Sequence, residues 1–130
     1  MLRALLTTLR PTQWIKNILV FAAPLSAGRL DERVVLLHTL SAFVAFCFAA
    51  SAVYCINDTL DYTFDAQHAR KKHRPVASGE LTRKVAVISG VVLALAALAV
   101  CVNWELRGVI ATYLAINVAY GLGLKRVAVV

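Results

Sequence analysis

Residues Asn57 to Asp65 combine one amide and three carboxylates at spacings that could hold a metal ion. They read Asn-Asp-Thr-Leu-Asp-Tyr-Thr-Phe-Asp. On an α-helix turning ~100° per residue, Asp58, Asp61 and Asp65 fall on one face. Asn57 lies beside Asp61 on the same helix. Oxygen ligands favour a hard cation such as Mg²⁺, which proteins commonly share with substrate phosphates. A solvated acidic helix end is the alternative, but three acids on one face favour a metal site.

A strongly basic segment follows this acidic row. It runs from Arg70 to Arg74 and includes adjacent lysines, Lys71 and Lys72. Ammonium and guanidinium groups are suited to binding phosphate. Attachment of a loop to anionic lipid would also explain positive charge, but it does not explain why the charge lies close to a row of carboxylates. We therefore predict a pyrophosphate site, in which Asp58, Asp61 and Asp65 are catalytic and hold the cation. Lys71, Lys72 and Arg74 would bind substrate phosphate.

Other residues near this segment are less informative. His68 and His73 could join the site or be bystanders. Pro75 and Gly79 are expected to end the helix that carries the acidic row and to turn the chain back.

Two more features place cations at the same end of the predicted helices. Lys16 and Asn17 follow Trp14, and Tyr120 precedes Lys125 in a Tyr-x-x-x-Leu-Lys pattern. Each feature alone is typical of an anchor at the membrane interface. Together they are predicted to extend the substrate-binding set.

The elements that position these residues must lie in lipid. The chain has 130 residues, of which 60% are apolar and 16% charged, and its mean hydropathy is +0.71. Soluble domains are nearer 45–50% apolar and about 25% charged. The composition also excludes disordered, collagen-like, disulfide-scaffold and coiled-coil proteins. Cys47, Cys55 and Cys101 lie in apolar runs and are predicted to be small core residues.

Four membrane spans are predicted. Residues 34–56 and 85–104 contain no Asp, Glu, Lys or Arg, and each can cross a hydrocarbon core of ~30 Å as a helix. Residues 108–124 form a shorter candidate. Residues 14–28 span only if Lys16 reaches the interface; the alternative there is a secretory signal peptide.

The distribution of basic residues predicts the orientation of the spans. Eleven Lys and Arg residues lie on the side that holds both termini and the loop 57–84, against three on the other side. Basic residues accumulate on the cytoplasmic side, which places the loop and both termini in the cytoplasm. The membrane that we expect is a bacterial inner membrane. The net charge of +7 therefore predicts topology and no nucleic-acid partner. The first group is Arg3, Arg10, Lys16, Arg70, Lys71, Lys72, Arg74, Arg83, Lys84, Lys125 and Arg126; the second is Arg29, Arg33 and Arg107.

These motifs resemble those of the UbiA-type intramembrane prenyltransferase superfamily. The matching patterns are Asn-Asp-x-x-Asp-x-x-x-Asp at Asn57–Asp65, Arg-Pro-x-x-Ser-Gly at Arg74–Gly79 and Tyr-x-x-x-Leu-Lys at Tyr120–Lys125. Within the superfamily the chain is similar to the decaprenyl-phosphate phosphoribosyltransferases. The likeness includes the opening Arg-Pro-Thr-Gln-Trp-Ile-Lys-Asn and covers almost the whole chain from about Arg10.

The resemblance implies an all-α bundle of about nine membrane helices around a lipid-open cavity, of which this chain would form the N-terminal four. It implies transfer of 5-phosphoribose from phosphoribosyl pyrophosphate to a polyprenyl phosphate, with release of pyrophosphate. The resemblance assigns the Mg²⁺–pyrophosphate complex to Asn57, Asp58, Asp61 and Asp65. It assigns the substrate phosphates to Lys71, Lys72, Arg74, Lys16 and Lys125.

The family pattern also includes a second aspartate motif that does not occur before Val130, so this chain alone is expected to be incomplete and inactive. Two other function classes stay open. The first is an aromatic or quinone-precursor prenyltransferase that uses a polyprenyl pyrophosphate at the same metal site. The second is a small transporter or metal-handling protein, which would favour charges at mid-span; the two clear spans have none. A bare structural subunit would leave the acidic row unexplained.

Overall fold

The computed structural model describes residues 2–124, and every regular element in that range is helical. The predicted all-α fold is therefore confirmed there. The α-helices are α1 (Leu2–Leu9), α2 (Ala22–Ser26), α3 (Arg33–Leu60), α4 (Tyr62–Ala66), α5 (Pro75–Ser78), α6 (Arg83–Ala99) and α7 (Trp104–Ala119). A 3₁₀ helix (Pro11–Phe21) leads directly into α2, a 3₁₀ turn (Lys71–His73) precedes α5, and a π-helical turn (Tyr120–Leu124) follows α7.

The N-terminal segment packs along one stripe of α3, although most of it is a 3₁₀ helix rather than the expected α-helix. Contact residues three and then four apart on the 3₁₀ helix meet residues four apart on α3. Three 3₁₀ residues and four α residues both rise ~6 Å, which matches the first of these two steps. The contacts join Trp14 to Ser51, Asn17 to Cys47 and Phe21 to Phe43.

The first segment packs on α3 as an integral helix would, and its membrane span stays a prediction. Pro11 begins the helix, three residues before the predicted start, because proline suits the first turn of a helix. Together the 3₁₀ helix and α2 rise about 30 Å, the thickness of a hydrocarbon core.

Small residues bring α3 and α6 close together. A Cβ atom added to Gly90 would lie 3.0 Å from Ile56 Cγ1 and 3.2 Å from the Ala52 carbonyl oxygen. Close backbone approach through small side chains is typical of helix pairs in membranes, where burial of apolar surface gives little drive to association. Cys47, Cys55 and Cys101 are buried and unpaired, as predicted for small core residues.

The turn between α6 and α7 corrects two predicted span limits. Helix α6 ends at Ala99 instead of continuing to 104, and α7 begins at Trp104 instead of 108. Asn103 caps α7 by accepting a 2.8 Å hydrogen bond from the Leu106 amide. Arg107 Nε donates to the Leu98 carbonyl at 3.1 Å. These polar groups satisfy helix ends, which a count of uncharged residues does not detect.

The polar segment after α3 folds into two short helices. The prediction that Pro75 ends the acidic helix is wrong: α4 ends at Ala66, and Pro75 begins α5. Gly79 follows α5 in the left-handed region with φ +86°, so it turns the chain as predicted. Val76 of α5 packs in a buried cluster with Ala4 of α1 and Ala86 of α6.

Two helices of the described residues are long and apolar enough to cross a membrane, Arg33–Leu60 and Trp104–Gly123. Many large apolar side chains on the helices are exposed, among them Leu19, Leu95 and Ile116. Such surfaces are unfavourable in water and suit contact with lipid or with further helices.

Candidate active site at the C-terminal end of α3

The acidic row continues α3 across a local break. Asp61 separates α3 from α4 with φ −90° and ψ 7°. The helical hydrogen-bond spacing nevertheless continues, because the Asp61 amide donates to the Asn57 carbonyl at 2.8 Å and the Asp65 amide donates to the Asp61 carbonyl at 2.7 Å. The spacing predicted from an unbroken helix is therefore largely kept, and Asp58 and Asp65 face the same partner.

That partner is Arg74, which bridges the two carboxylates. Its Nη1 lies 3.1 Å from Asp65 Oδ2 and 3.6 Å from Asp58 Oδ1. Asp58 and Asp65 are each only 2% exposed. Buried carboxylates require a compensating charge, so the ion pairs explain how two acids can lie inside this end of the bundle.

Short-range structure places Arg74 at this position. Pro75 after it disfavours a helical conformation at Arg74, which is extended with φ −60° and ψ 140°. Helix α5 then fixes the segment, since Val76 and Leu81 are each 1% exposed and belong to the cluster between α1 and α6.

Arg10 is a second partner of Asp58, although its sequence position predicted only a role in membrane topology. Its Nη2 donates to Asp58 Oδ1 at 2.7 Å, and its guanidinium carbon lies 4.5 Å from the centroid of the Tyr54 ring. One signal could have identified it: Arg10–Pro11 repeats the Arg-Pro dipeptide of Arg74–Pro75. Both arginines precede a helix-starting proline.

Asn57 lies beside this cluster and faces the end of α7. Its Oδ1 is buried and has no hydrogen-bond partner within the described residues. A Cβ atom added to Gly121 would lie 2.5 Å from that oxygen, so only glycine leaves room for the amide. Gly121 belongs to the π-helical turn, an element often found at functional sites.

The other predicted site residues are arranged differently. Lys71 and Lys72 are exposed on the 3₁₀ turn, and Lys16 and Tyr120 are also exposed. Lys125 lies outside the described residues. The substrate-binding roles proposed for these residues stay predictions.

Two polar residues near them have local partners. Asn17 Nδ2 contacts Cys47 Sγ at 3.6 Å, about three turns of α3 away from Asp58. His68 Nδ1 accepts hydrogen bonds from the Arg70 and Lys71 amides, so this histidine shapes the turn that carries the lysines.

The donor chemistry here fits a hard divalent cation, because it offers carboxylate oxygens and the unpartnered oxygen of Asn57. Within residues 2–124, no three Asp, Glu, His or Cys side chains converge closely enough to hold an ion as they stand. Arg10 and Arg74 contact the buried carboxylates instead. Binding of Mg²⁺ at Asp58 and Asp65 would require the carboxylates to exchange these partners, and it stays a prediction.

Comparison with known proteins bears on the same residues. The pattern of the UbiA prenyltransferase family matches residues 18–130, a range that contains the acidic row and Arg74. The chain belongs to the UbiA prenyltransferase family. The resemblance found in its motifs is thus confirmed, and the exposed apolar helices are those of an intramembrane family.

Individual relatives within this family differ in their coverage of the chain. The decaprenyl-phosphate phosphoribosyltransferase of Corynebacterium glutamicum is 38% identical over 97% of the chain and 40% of its own length. The protein of the same name from Mycobacterium tuberculosis is 44% identical over 94% of the chain and 42% of its own length. A 4-hydroxybenzoate octaprenyltransferase of Polynucleobacter asymbioticus is 45% identical over 47% of the chain. The chain spans about two fifths of the length of the first two relatives.

Proposed function

We propose that this chain provides the pyrophosphate-binding part of a transferase that moves 5-phosphoribose from phosphoribosyl pyrophosphate to a polyprenyl phosphate. The observation that carries the proposal is the buried pair Asp58 and Asp65, bridged by Arg74 at the end of an apolar helix. The names of relatives that are 38–44% identical over nearly the whole chain support this donor and acceptor.

The site residues divide into two groups in this proposal. Asn57, Asp58, Asp61 and Asp65 would hold Mg²⁺, which would neutralise charge on the pyrophosphate leaving group. The exposed ammonium groups of Lys71 and Lys72 would bind phosphate oxygens as mobile point charges. Lys16 and Lys125 would add positive charge near the acceptor phosphate, with Asn17 and Tyr120 as further contacts.

The reaction breaks the bond between C1 of the ribose and the pyrophosphate oxygen. A phosphate oxygen of the polyprenyl phosphate forms the new bond to C1, and pyrophosphate leaves with the electron pair of the broken bond. The residues of this chain bind and orient the leaving group, so their main contribution is positioning and charge stabilisation. The exposed apolar side chains of the helices would let the isoprenoid remain in lipid while its phosphate reaches the site.

We propose a four-span arrangement for this chain in a bacterial inner membrane, as part of a larger UbiA-type bundle. The spans would include the 3₁₀ helix with α2, and α3, α6 and α7. Both termini and residues 57–84 would lie in the cytoplasm, as supported by the eleven-to-three distribution of basic residues. This orientation gives a water-soluble phosphoribosyl donor direct access to Asp58 and Asp65.

A second candidate is transfer of a polyprenyl group from its pyrophosphate to an aromatic acceptor. The partial match to a 4-hydroxybenzoate octaprenyltransferase favours it, and the same carboxylates and arginines would bind that pyrophosphate.

The identity of the donor separates the two candidates. The transferase that contains this chain, purified in lipid nanodiscs, would be incubated with Mg²⁺ and either labelled phosphoribosyl pyrophosphate plus polyprenyl phosphate, or labelled polyprenyl pyrophosphate plus 4-hydroxybenzoate. We expect label in the lipid product only with the phosphoribosyl donor. Asp58→Asn should abolish the product, whereas Glu105→Gln, an exposed acid at the opposite end of the bundle, should not. Product from polyprenyl pyrophosphate alone would establish the second candidate instead.

A further inference from the structure

Asp58, Asp65, Arg10 and Arg74 form a cluster of two acids and two guanidinium groups, here called the ion-pair cluster. Arg10 contacts Asp58 at 2.7 Å, and Arg74 contacts Asp65 at 3.1 Å. The formal charges of these four groups sum to zero. The acids are only 3% exposed at their side chains, whereas the arginines are 28% and 31% exposed. The anions are therefore fixed inside, and the cations have access to solvent.

The arginine contacts involve one oxygen atom of each carboxylate. Both arginines contact the same oxygen of Asp58, Oδ1, and Arg74 contacts Oδ2 of Asp65. Neither ion pair involves Asp58 Oδ2 or Asp65 Oδ1. A cation that bound these two oxygens would compete with the arginines for the charge of the same carboxylates.

The backbone keeps Arg10 at the cluster independently of Asp58. Arg10 has φ +52° and is the one non-glycine residue with positive φ among residues 2–124. Side chains with a Cβ atom rarely adopt this conformation, so surrounding contacts must hold it. Ser51 Oγ donates to the Leu9 carbonyl at 2.7 Å and accepts from Trp14 Nε1 at 2.9 Å. These hydrogen bonds attach the residues before and after Arg10 to α3.

The aromatic ring of Tyr54 is a second contact for the Arg10 guanidinium. The guanidinium lies 4.5 Å from the ring centroid, a favourable distance for a cation over an aromatic face. Arg10 can therefore release Asp58 and still remain beside it, with its planar fork available to a phosphate.

We propose that Arg10 and Arg74 couple cation binding to phosphate binding at this site. If a divalent cation alone took the carboxylates, two guanidinium groups would lose their partners in a partly buried place. Pyrophosphate supplies oxygens that the released arginines bind, so the cation and the phosphate bind better together than either binds alone. The inference rests on the proposed function, and it holds for either pyrophosphate donor.

Direct binding of Mn²⁺, a spectroscopic probe for a Mg²⁺ site, tests this coupling without turnover. Free Mn²⁺ is measured by electron paramagnetic resonance for the protein in nanodiscs, with and without inorganic pyrophosphate. Titrations with pyrophosphate alone correct for the Mn²⁺–pyrophosphate complex in solution. We expect pyrophosphate to tighten Mn²⁺ binding to the wild-type protein at least tenfold. By reciprocity, Mn²⁺ should tighten pyrophosphate binding by the same factor.

Arg10→Gln should strengthen the binding of Mn²⁺ alone and weaken the effect of pyrophosphate on that binding. Mn²⁺ alone should bind severalfold more tightly, because a competing cation has been removed, and the tightening by pyrophosphate should fall to about twofold. Arg3→Gln removes an exposed arginine of α1 and should match wild type in both measurements. If Arg10→Gln does not fold, Arg74→Gln removes the other arginine that contacts the carboxylates, and it should also tighten the binding of Mn²⁺ alone and reduce the tightening by pyrophosphate.

The possible failures are distinguishable. An Mn²⁺ affinity that is unchanged or weaker in the folded Arg10→Gln or Arg74→Gln variant, with full tightening by pyrophosphate, would overturn the coupling and leave the proposed function intact. Absence of Mn²⁺ binding to the wild-type protein even with pyrophosphate would overturn the metal–pyrophosphate site itself.

Discussion

The two Arg-Pro segments and the Lys71–Lys72 turn carry the same kind of charge but occupy different structural positions. Arg10 and Arg74 each precede a proline that begins a helix, and both contact buried carboxylates. Lys71 and Lys72 lie on an exposed 3₁₀ turn. In the sequence, Lys72 and Arg74 are two residues apart and look equivalent. The difference shows that proximity along the chain does not determine which cations belong to the interior of the site.

We expect the largest losses of product formation when the carboxylates that contact the arginines are substituted. Asp65→Asn removes the charge that Arg74 contacts at 3.1 Å and one proposed cation ligand. We expect product formation to fall about a hundredfold or more, since each charge-assisted hydrogen bond is worth ~1.5–3 kcal/mol. Turnover is measured with labelled donor, at protein levels matched by immunoblot.

Asp31→Asn is the matched control, because Asp31 is exposed at the opposite end of α3. Its turnover should stay within about twofold of wild type on the scale of a typical surface substitution. Near-normal activity of Asp65→Asn would remove this carboxylate from the site.

A smaller loss is expected from the conservative change Arg74→Lys, which keeps the charge but removes the planar fork. Arg74 contacts both carboxylates through Nη1 alone, which leaves further N–H groups of the guanidinium for a phosphate. Lysine lacks these additional planar donors, so we expect a roughly tenfold to hundredfold loss of kcat/KM. The reverse exchange at the exposed turn, Lys72→Arg, should change kcat/KM by no more than about twofold. Equal effects of the two exchanges on steady-state kinetics would erase the distinction between interior and exposed cations.

A still smaller effect is expected at Gly121, on the far side of the acidic row. In Gly121→Ala the new Cβ would lie 2.5 Å from Asn57 Oδ1, the mobile end of a side chain, so Asn57 would turn aside with little change in Tm. We expect a roughly threefold to tenfold loss of turnover, equivalent to ~1 kcal/mol. Gly123→Ala is the control, because nothing lies within 4 Å of its added Cβ. Identical turnover of the two variants would argue against a role for the orientation of Asn57.

Periodicity and residue type predicted much of this arrangement. The spacing of Asp58 and Asp65 predicted that they share a face, and both now contact Arg74. The helical fold followed from long uncharged stretches. The spacing could not reveal Arg10, because its position depends on a left-handed backbone that tertiary contacts hold.

Helix type and helix ends were also beyond the sequence patterns. The segment Pro11–Phe21 is a 3₁₀ helix, and its apolar pattern did not distinguish this helix type from an α-helix. The end of α6 depends on Arg107 Nε reaching back to the Leu98 carbonyl, whereas charge counting placed Arg107 only as a marker of the membrane boundary. Span limits read from uncharged residues were therefore displaced by several positions.

Binding of labelled phosphoribosyl pyrophosphate to the protein in nanodiscs, without acceptor lipid, tests the central claim most directly. We expect saturable binding that requires Mg²⁺ and is lost on chelation with EDTA, and inorganic pyrophosphate should displace the labelled donor. The reason is that the carboxylates, the arginines and the ion together hold the diphosphate. Binding that persists unchanged in EDTA, or that pyrophosphate fails to displace, would contradict a metal–pyrophosphate site at the end of α3.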